Sequence, residues 1–173
     1  MTPPYRVGDE LPPLEIPVTR TLIVAGAIAS RDYQDVHHDA ASAREKGSPD
    51  IFMNILTTNG LVGRYITDHF GPTAVLRKVA IRLGAPNYPG DVLRLTGRIT
   101  ELRTADASPG GASPGGASSA DTSSADTSSD EVVDAVEAIE AVVQVTGGNG
   151  IGRHVTGTVA VTLPEPSAKR TGA

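Results

Sequence analysis

Apolar positions between residues 19 and 103 fall into two helical stretches followed by two alternating ones. TRTLIVAGAIAS (19–30) is apolar and rich in alanine, which predicts a short buried helix capped by Thr19. In NILTTNGLVGRYITDHFG (54–71), Ile55, Leu56, Leu61, Val62, Tyr65 and Ile66 recur near helical spacing. Asn54 can cap that helix and Gly71-Pro72 ends it. Gly60 and Gly63 lower its intrinsic propensity, which suggests that another backbone or a ligand passes close.

The period then drops to two. AVLRKVAIRLGAP (74–86) and DVLRLTGRITELR (91–103) read as strands separated by the turn NYPG. Farther on, VVDAVEAIEAVVQVTG and GRHVTGTVAVTLP are joined through GGNG, a hairpin signal. Within them, 131–141 also suits a helix, because it is rich in alanine and glutamate. A helix wrapped by a meander of long antiparallel strands is an α+β architecture.

Between these halves lies ASPGGASPGGASSADTSSADTSSD (107–130), with two repeated pentads and no aromatic or branched aliphatic residue. Such a stretch has nothing to bury against the entropy of ordering its backbone. It predicts a disordered insert, bounded at 105–130, within one domain spanning 1–165 and followed by a flexible tail at 166–173. Loop-closure entropy grows slowly with length, so a connection between two paired strands tolerates it.

Composition narrows the chemistry. The 173 residues include no cysteine, which excludes disulfides, thiol catalysis and cysteine-ligated zinc and fits a reducing cytoplasm. No apolar run is long enough to cross a membrane, and MTPPYRVGDELPP lacks the charged-then-apolar order of a signal peptide. The expectation is a soluble, cytoplasmic protein with no membrane partner. The formal charge of −5 is uneven: eight of the 20 acids lie between Arg103 and Arg153, where there is no lysine or arginine. The rest is slightly basic, so neither an acidic docking surface nor a nucleic-acid footprint follows.

SRDYQDVHHD (30–39) holds three aspartates and two of the four histidines. Metal binding is disfavoured: His37 and His38 are adjacent and diverge, and the glycine and terminal glutamate of an EF-hand are missing. No metal is therefore expected. A structural reading has Asp39 capping AASAREKG, Asp32 and Asp35 decorating a turn, and His38 facing solvent. An acid–base reading pairs Asp32 with His37, five residues on, to converge on one water. Spacing alone leaves these last two open.

The stretch resembles the hydratase motif of MaoC-like proteins, with Asp32 and His37 on that family's catalytic pair and Asp39 on its frequent following aspartate. GSPDIFMNILTTNGL, APNYPGDVLRLTGRI and GGNGIGRHVTGTVAVTLP keep the family's order, so the resemblance covers most of 8–165 apart from the insert. DIFMNILTTNGLVGRYITDHFGP is similar to the small MaoC-like subunit of an actinobacterial steroid side-chain enoyl-CoA hydratase. The implied fold is a hotdog, an antiparallel sheet around the helix that begins near Asn54. The implied reaction adds water to a trans-2-enoyl-CoA, in steroid side-chain or fatty acid degradation. Asp32 and His37 would hold the water, and a backbone N–H near Asn54 or Ile55 would stabilise the thioester oxyanion.

The acyl-CoA, which could be a steroid-CoA, would be substrate, with no further cofactor. The implied partner is a second hotdog subunit, in a hetero-oligomer or a homodimer. Two departures stand out: Met53-Asn54 where the family has histidine–glycine, and Asp35 where it often has proline. Arg77, Lys78 and Arg82, with Arg94 and Arg98, lie on the strands after the helix. They are either CoA-phosphate ligands or an ordinary solvated strand face. Two other functions stay open: a non-catalytic partner subunit, and an acyl-CoA thioesterase using a carboxylate beside the helix, Asp50 or Asp68.

Overall fold

The structure is a computed structural model that describes residues 5–105 and 138–164. From residue 106 onward the insert lies outside the described residues, as does the tail at 166–173. Its flanks are described: Ala105 and Ala138 are register partners across two paired strands.

Among the described residues, five strands form one antiparallel sheet: β1 (Glu10–Pro17), β2 (Val75–Leu83), β3 (Val92–Ala105), β4 (Ala138–Gly148) and β5 (Arg153–Pro164). Their spatial order is β1-β3-β4-β5-β2. Three α-helices accompany it: α1 (Arg20–Ala29), α2 (Ala40–Glu45) and α3 (Ile55–Phe70), with a short 3-10 turn at Asp35–His37 before α2. Val62, Tyr65 and Ile66 of α3 share one core with Leu93, Leu95 and Ile99 of β3, Val143 and Val145 of β4, and Val155, Val159 and Val161 of β5. This is the α+β hotdog that the family resemblance implies.

The helices start and stop where side-chain chemistry puts them. Thr19 Oγ1 accepts from the Leu22 N–H at 3.0 Å and Asp39 Oδ1 from the Ala41 N–H at 2.8 Å. Asn54 Oδ1 accepts from the Thr57 N–H at 2.9 Å, and α3 ends at Gly71, whose φ of 91° favours a residue without Cβ. The helix expected at 19–30 is less buried than its composition suggests. Only Ile23 and Ala27 of α1 are fully covered, and Ile28 is 56% exposed.

Three strand expectations need correction. Residues 138–141, read as compatible with helix, belong to β4, where pairing with β3 and β5 overrides alanine's preference. The meander comprises only β3, β4 and β5. β2 pairs with β5, so the NYPG turn does not make a hairpin of β2 and β3. Turn residues reverse a chain but do not choose its partner. The connection from Gly84 to Asp91 instead crosses the end of the sheet, pinned by Asn149 Nδ2, which donates to Pro86 O at 2.8 Å and Asn87 Oδ1 at 2.7 Å. The third correction is β1, absent from the sequence reading because Pro12 and Pro13 break its pattern. It survives as an edge strand with a register shift at those prolines, between Leu11 and Leu14.

The helix glycines divide. Gly63 is buried, and a Cβ there would sit 3.2 Å from Leu76 Cδ1, so β2 does approach closely. Gly60 is exposed with no described residue within 4 Å of a Cβ there, so none of the described residues explains it. A Cβ on Gly157 of β5, by contrast, would fall on the carbonyl oxygen of Ala80 in β2. Gly157→Ala is expected to lower stability by roughly 1–3 kcal/mol, because backbone must shift. Gly60→Ala should raise it by about 0.5–1 kcal/mol through helix propensity. Urea unfolding of the two purified variants measures both.

Candidate active site

The end of α1 delivers the first carboxylate. Arg31 takes a left-handed conformation (φ 57°), and the Asp32 N–H returns to Ala27 O at 2.9 Å. This tight reversal points Asp32 toward the first turn of α3. Two hydrogen bonds meet it there: Asn54 Nδ2 donates to Oδ2 at 3.0 Å and the Gln34 N–H to Oδ1 at 3.4 Å. Mainly through the Asn54 bond, the carboxyl sits below the ordinary aspartate range.

His37 arrives from the 3-10 turn and is almost fully buried, its ring edge-on to Phe52 with centroids 5.1 Å apart. Its Nδ1 lies 2.7 Å from Phe52 O, a carbonyl that only accepts, so Nδ1 carries the hydrogen. Nε2 therefore faces Asp32 Oδ2, 3.3 Å away. In the neutral imidazole these are two acceptors, and a water donating to both satisfies them.

The neighbours of the pair do other work. Asp39 caps α2, and His38 is exposed with Nε2 3.3 Å from Tyr33 O. Asp35 faces Lys46 Nζ at 3.3 Å, which holds its carboxyl below the usual range. Among the described residues no three His, Asp or Glu side chains are grouped to hold a metal ion.

Asp32 and His37 open onto a cavity of about 360 Å³, lined also by Phe52, Met53, Asn54 and Ile55 and, opposite, by Leu83–Pro86 and His154. Asn54 is buried at the N-cap of α3. Among the described residues the N–H groups of Ile55 and Leu56 have no acceptor, as the first turn of a helix dictates. Arg77, Lys78 and Arg82 stand on β2 and do not line this cavity. Arg77 Nε donates to Thr162 Oγ1 at 2.8 Å, while Arg82 shares a smaller cavity of about 190 Å³ with Arg153. That cavity adjoins the first through Leu83 and Gly84. Asp50 is bound bidentately by Arg20 at 2.6 and 3.0 Å, and Asp68 by Arg64 at 3.0 Å; neither lines the cavity.

His154 was not anticipated. Strand alternation puts Val155, Val159 and Val161 inward, which by parity turns residue 154 outward. Gly147 pairs with Val155 and Gly148 with Arg153, leaving His154 as the extra residue of a β-bulge. The bulge turns its ring toward α3, where Thr58 Oγ1 donates to Nε2 at 2.9 Å, while Nδ1–H donates to Ala85 O at 2.6 Å. A bulge leaves no mark on the hydrophobic pattern.

Comparisons with known proteins bear on the chain and its fold as a whole. The chain is 37% identical over 157 residues to the 3-oxo-4,17-pregnadiene-20-carboxyl-CoA hydratase beta subunit of Mycobacterium tuberculosis, covering 91% of this chain and 95% of that one. The crystal structure of the ChsH1-ChsH2 complex from Mycobacterium tuberculosis superposes with a TM-score of 0.68 at 36% identity, over 94% of this chain and 99% of that one. The (R)-hydratase from A. caviae involved in PHA biosynthesis shares the fold, with a TM-score of 0.68 at 17% identity over 93% and 98% of the two chains. No family model matches the chain.

Burial lowers the proton affinity of His154 below that of an ordinary histidine. Below about pH 6.5 the unfolded chain therefore binds a proton that the folded chain refuses, and stability should fall as pH falls. His154→Gln, which cannot titrate, is expected to flatten the dependence of unfolding free energy on pH between about pH 5 and 7. Urea titrations of wild type and variant across that window measure the difference.

Proposed function

The chain belongs to the MaoC-like hotdog hydratases, and from that premise we propose that it adds water to a trans-2-enoyl thioester of coenzyme A, giving a 3-hydroxyacyl-CoA. The observation carrying this reading is the 3.3 Å approach of Asp32 Oδ2 to His37 Nε2 in one cavity with the start of α3. A water donating to both groups has a lone pair left for C3 of the enoyl chain. As the C–O bond forms, Asp32 takes a proton from the water, and the same proton equivalent goes to C2. Hydroxyl and hydrogen are thus added across the double bond with no net proton uptake. His37, fixed by Phe52 O, orients the water.

Addition at C3 pushes electron density onto the thioester oxygen. The Ile55 N–H, at the first position of α3, is the donor best placed to receive it, and the helix dipole acts in the same sense. Exposed Tyr33, Ile55 and Leu56 stand on or beside the lining residues, and an apolar acyl group has surface to cover there. With the steroid thioester in the M. tuberculosis relative's name, this favours a bulky steroid-CoA over a short fatty enoyl-CoA. Arg82 and Arg153, beside the cavity, are the cations we assign to the CoA phosphates. Arg77 and Lys78 lie farther along the same strand.

A second hotdog subunit is the partner this reading requires. Among the described residues β2 is paired on one side only, by β5. Unlike β1, it has no proline to block a further strand. The two-component M. tuberculosis complex supports a different chain as that partner.

Asp32→Asn and His37→Ala, introduced in this chain only and assayed as the assembled complex with a 2-enoyl-CoA, are each expected to reduce kcat by about 10²–10⁴-fold without loss of folding. Full turnover in both would assign the chemistry to the partner and make this chain a non-catalytic subunit. Release of free thiol without a hydroxyacyl product would indicate a thioesterase.

A further inference from the structure

Every polar atom of the Asn54 side-chain amide is engaged. Oδ1 accepts from the Thr57 N–H at 2.9 Å, which fixes the amide plane. Nδ2 carries two hydrogens, directed to Ser30 Oγ at 2.9 Å and Asp32 Oδ2 at 3.0 Å. Ser30 Oγ in turn donates to Gly26 O at 2.7 Å, so it must accept from Asn54. The direction of the network is thus determined, and no amide hydrogen is left over for a thioester oxygen. The side chain is 98% buried, so it cannot swing out without breaking all three bonds.

We propose that Asn54 is a positioning residue for Asp32: its clamped amide presents one carboxylate lobe to the water site facing His37, and it serves the oxyanion with its backbone at most. This rests on the hydratase reading for its consequence in catalysis, but the Asn54–Asp32 bond is testable without it. The residue ties three elements together, the end of α1 through Ser30, the aspartate turn, and the start of α3. A cap at this position commonly needs only an acceptor. Serine, threonine or aspartate would cap equally well, but only an amide is long enough to cap with its oxygen while its nitrogen reaches a carboxylate.

The titratable groups lining the cavity around Asp32 are His37 from the 3-10 turn and His154 from β5; α3 and β2 line it with none. Like charge is therefore absent from the site, and the amide is the strongest influence keeping the carboxylate ionised.

Two variants separate positioning from capping. Asn54→Ser keeps a cap acceptor but is too short to reach Asp32. Asn54→Asp keeps the cap and the shape, and replaces the donor with a second carboxylate. Carbon-13 carboxyl titration of Asp32 in the full chain reads the bond directly, with thermal melting as the control for folding. Asp32 is expected to titrate at higher pH in Asn54→Ser. In Asn54→Asp the two carboxylates should titrate in two steps, the upper one above the ordinary range.

In the assembled enzyme the acid limb of kcat/KM should move to higher pH, and kcat should fall about ten- to a hundredfold with KM little changed. An unchanged Asp32 titration in both variants would overturn the proposal. So would a rise in KM with kcat and the acid limb unaltered, which would return Asn54 to thioester binding. If the titration moves as expected while the wild-type complex hydrates no enoyl-CoA, the Asn54–Asp32 linkage stands and the hydratase reading falls. Should Asn54→Ser fail to fold, Asn54→Asp carries the same test.

Discussion

The first turn of α3 has N–H groups that the helix cannot satisfy from within, and the whole site is arranged around their disposal. One is taken by Asn54 Oδ1, which locks the amide and so fixes what its other end can reach. That end meets Ser30, the C-cap of α1, and Asp32, two residues beyond it. Among the described residues the Ile55 N–H has no acceptor, and Ile55 lines the cavity. A single cap thereby joins the two helices and holds a carboxylate. Loosening it would disturb both at once.

The sheet supplies the opposite wall. Because β2 pairs with β5 and not with β3, the chain from Gly84 to Asp91 must cross the sheet's end, and this crossing brings Gly84–Pro86 opposite Asp32. His154 holds the crossing to α3, bonding Ala85 O on one side and Thr58 on the other. The two sheet edges differ in kind. β1 carries adjacent prolines and a register shift, which discourage another strand, while β2 is regular apart from a shift at Arg77. Among the described residues, β2 is paired on one side only.

Much of this could be read from the sequence because it is local. Helix caps at Thr19, Asp39 and Asn54 follow from side-chain chemistry within three residues, and the GGNG hairpin from turn chemistry within four. The approach of Asp32 to His37 follows from a short loop whose spacing matched a known motif. What was hidden is non-local. The pairing of β2 with β5 depends on contacts some 80 residues apart. The prolines of β1 masked a strand that exists only because β3 offers it an edge. His154 enters the site through a bulge, a defect that hydrophobic alternation cannot register. The side-chain role of Asn54 was hidden for a different reason: its cap was legible, but the two donors at its other end need three elements in place.

Hydration makes a covalent claim about where the product's oxygen comes from, and that is directly measurable. The assembled protein, incubated in heavy-oxygen water with a trans-2-enoyl-CoA bearing a steroid or a simple acyl group, should yield a hydroxyacyl-CoA carrying one heavy oxygen on C3. Asp32→Asn in this chain alone should slow formation of that product by about 10²–10⁴-fold. Equal incorporation with Asp32 and His37 both replaced, or heavy oxygen found only in a free carboxylic acid, would contradict an Asp–His hydration site in this subunit.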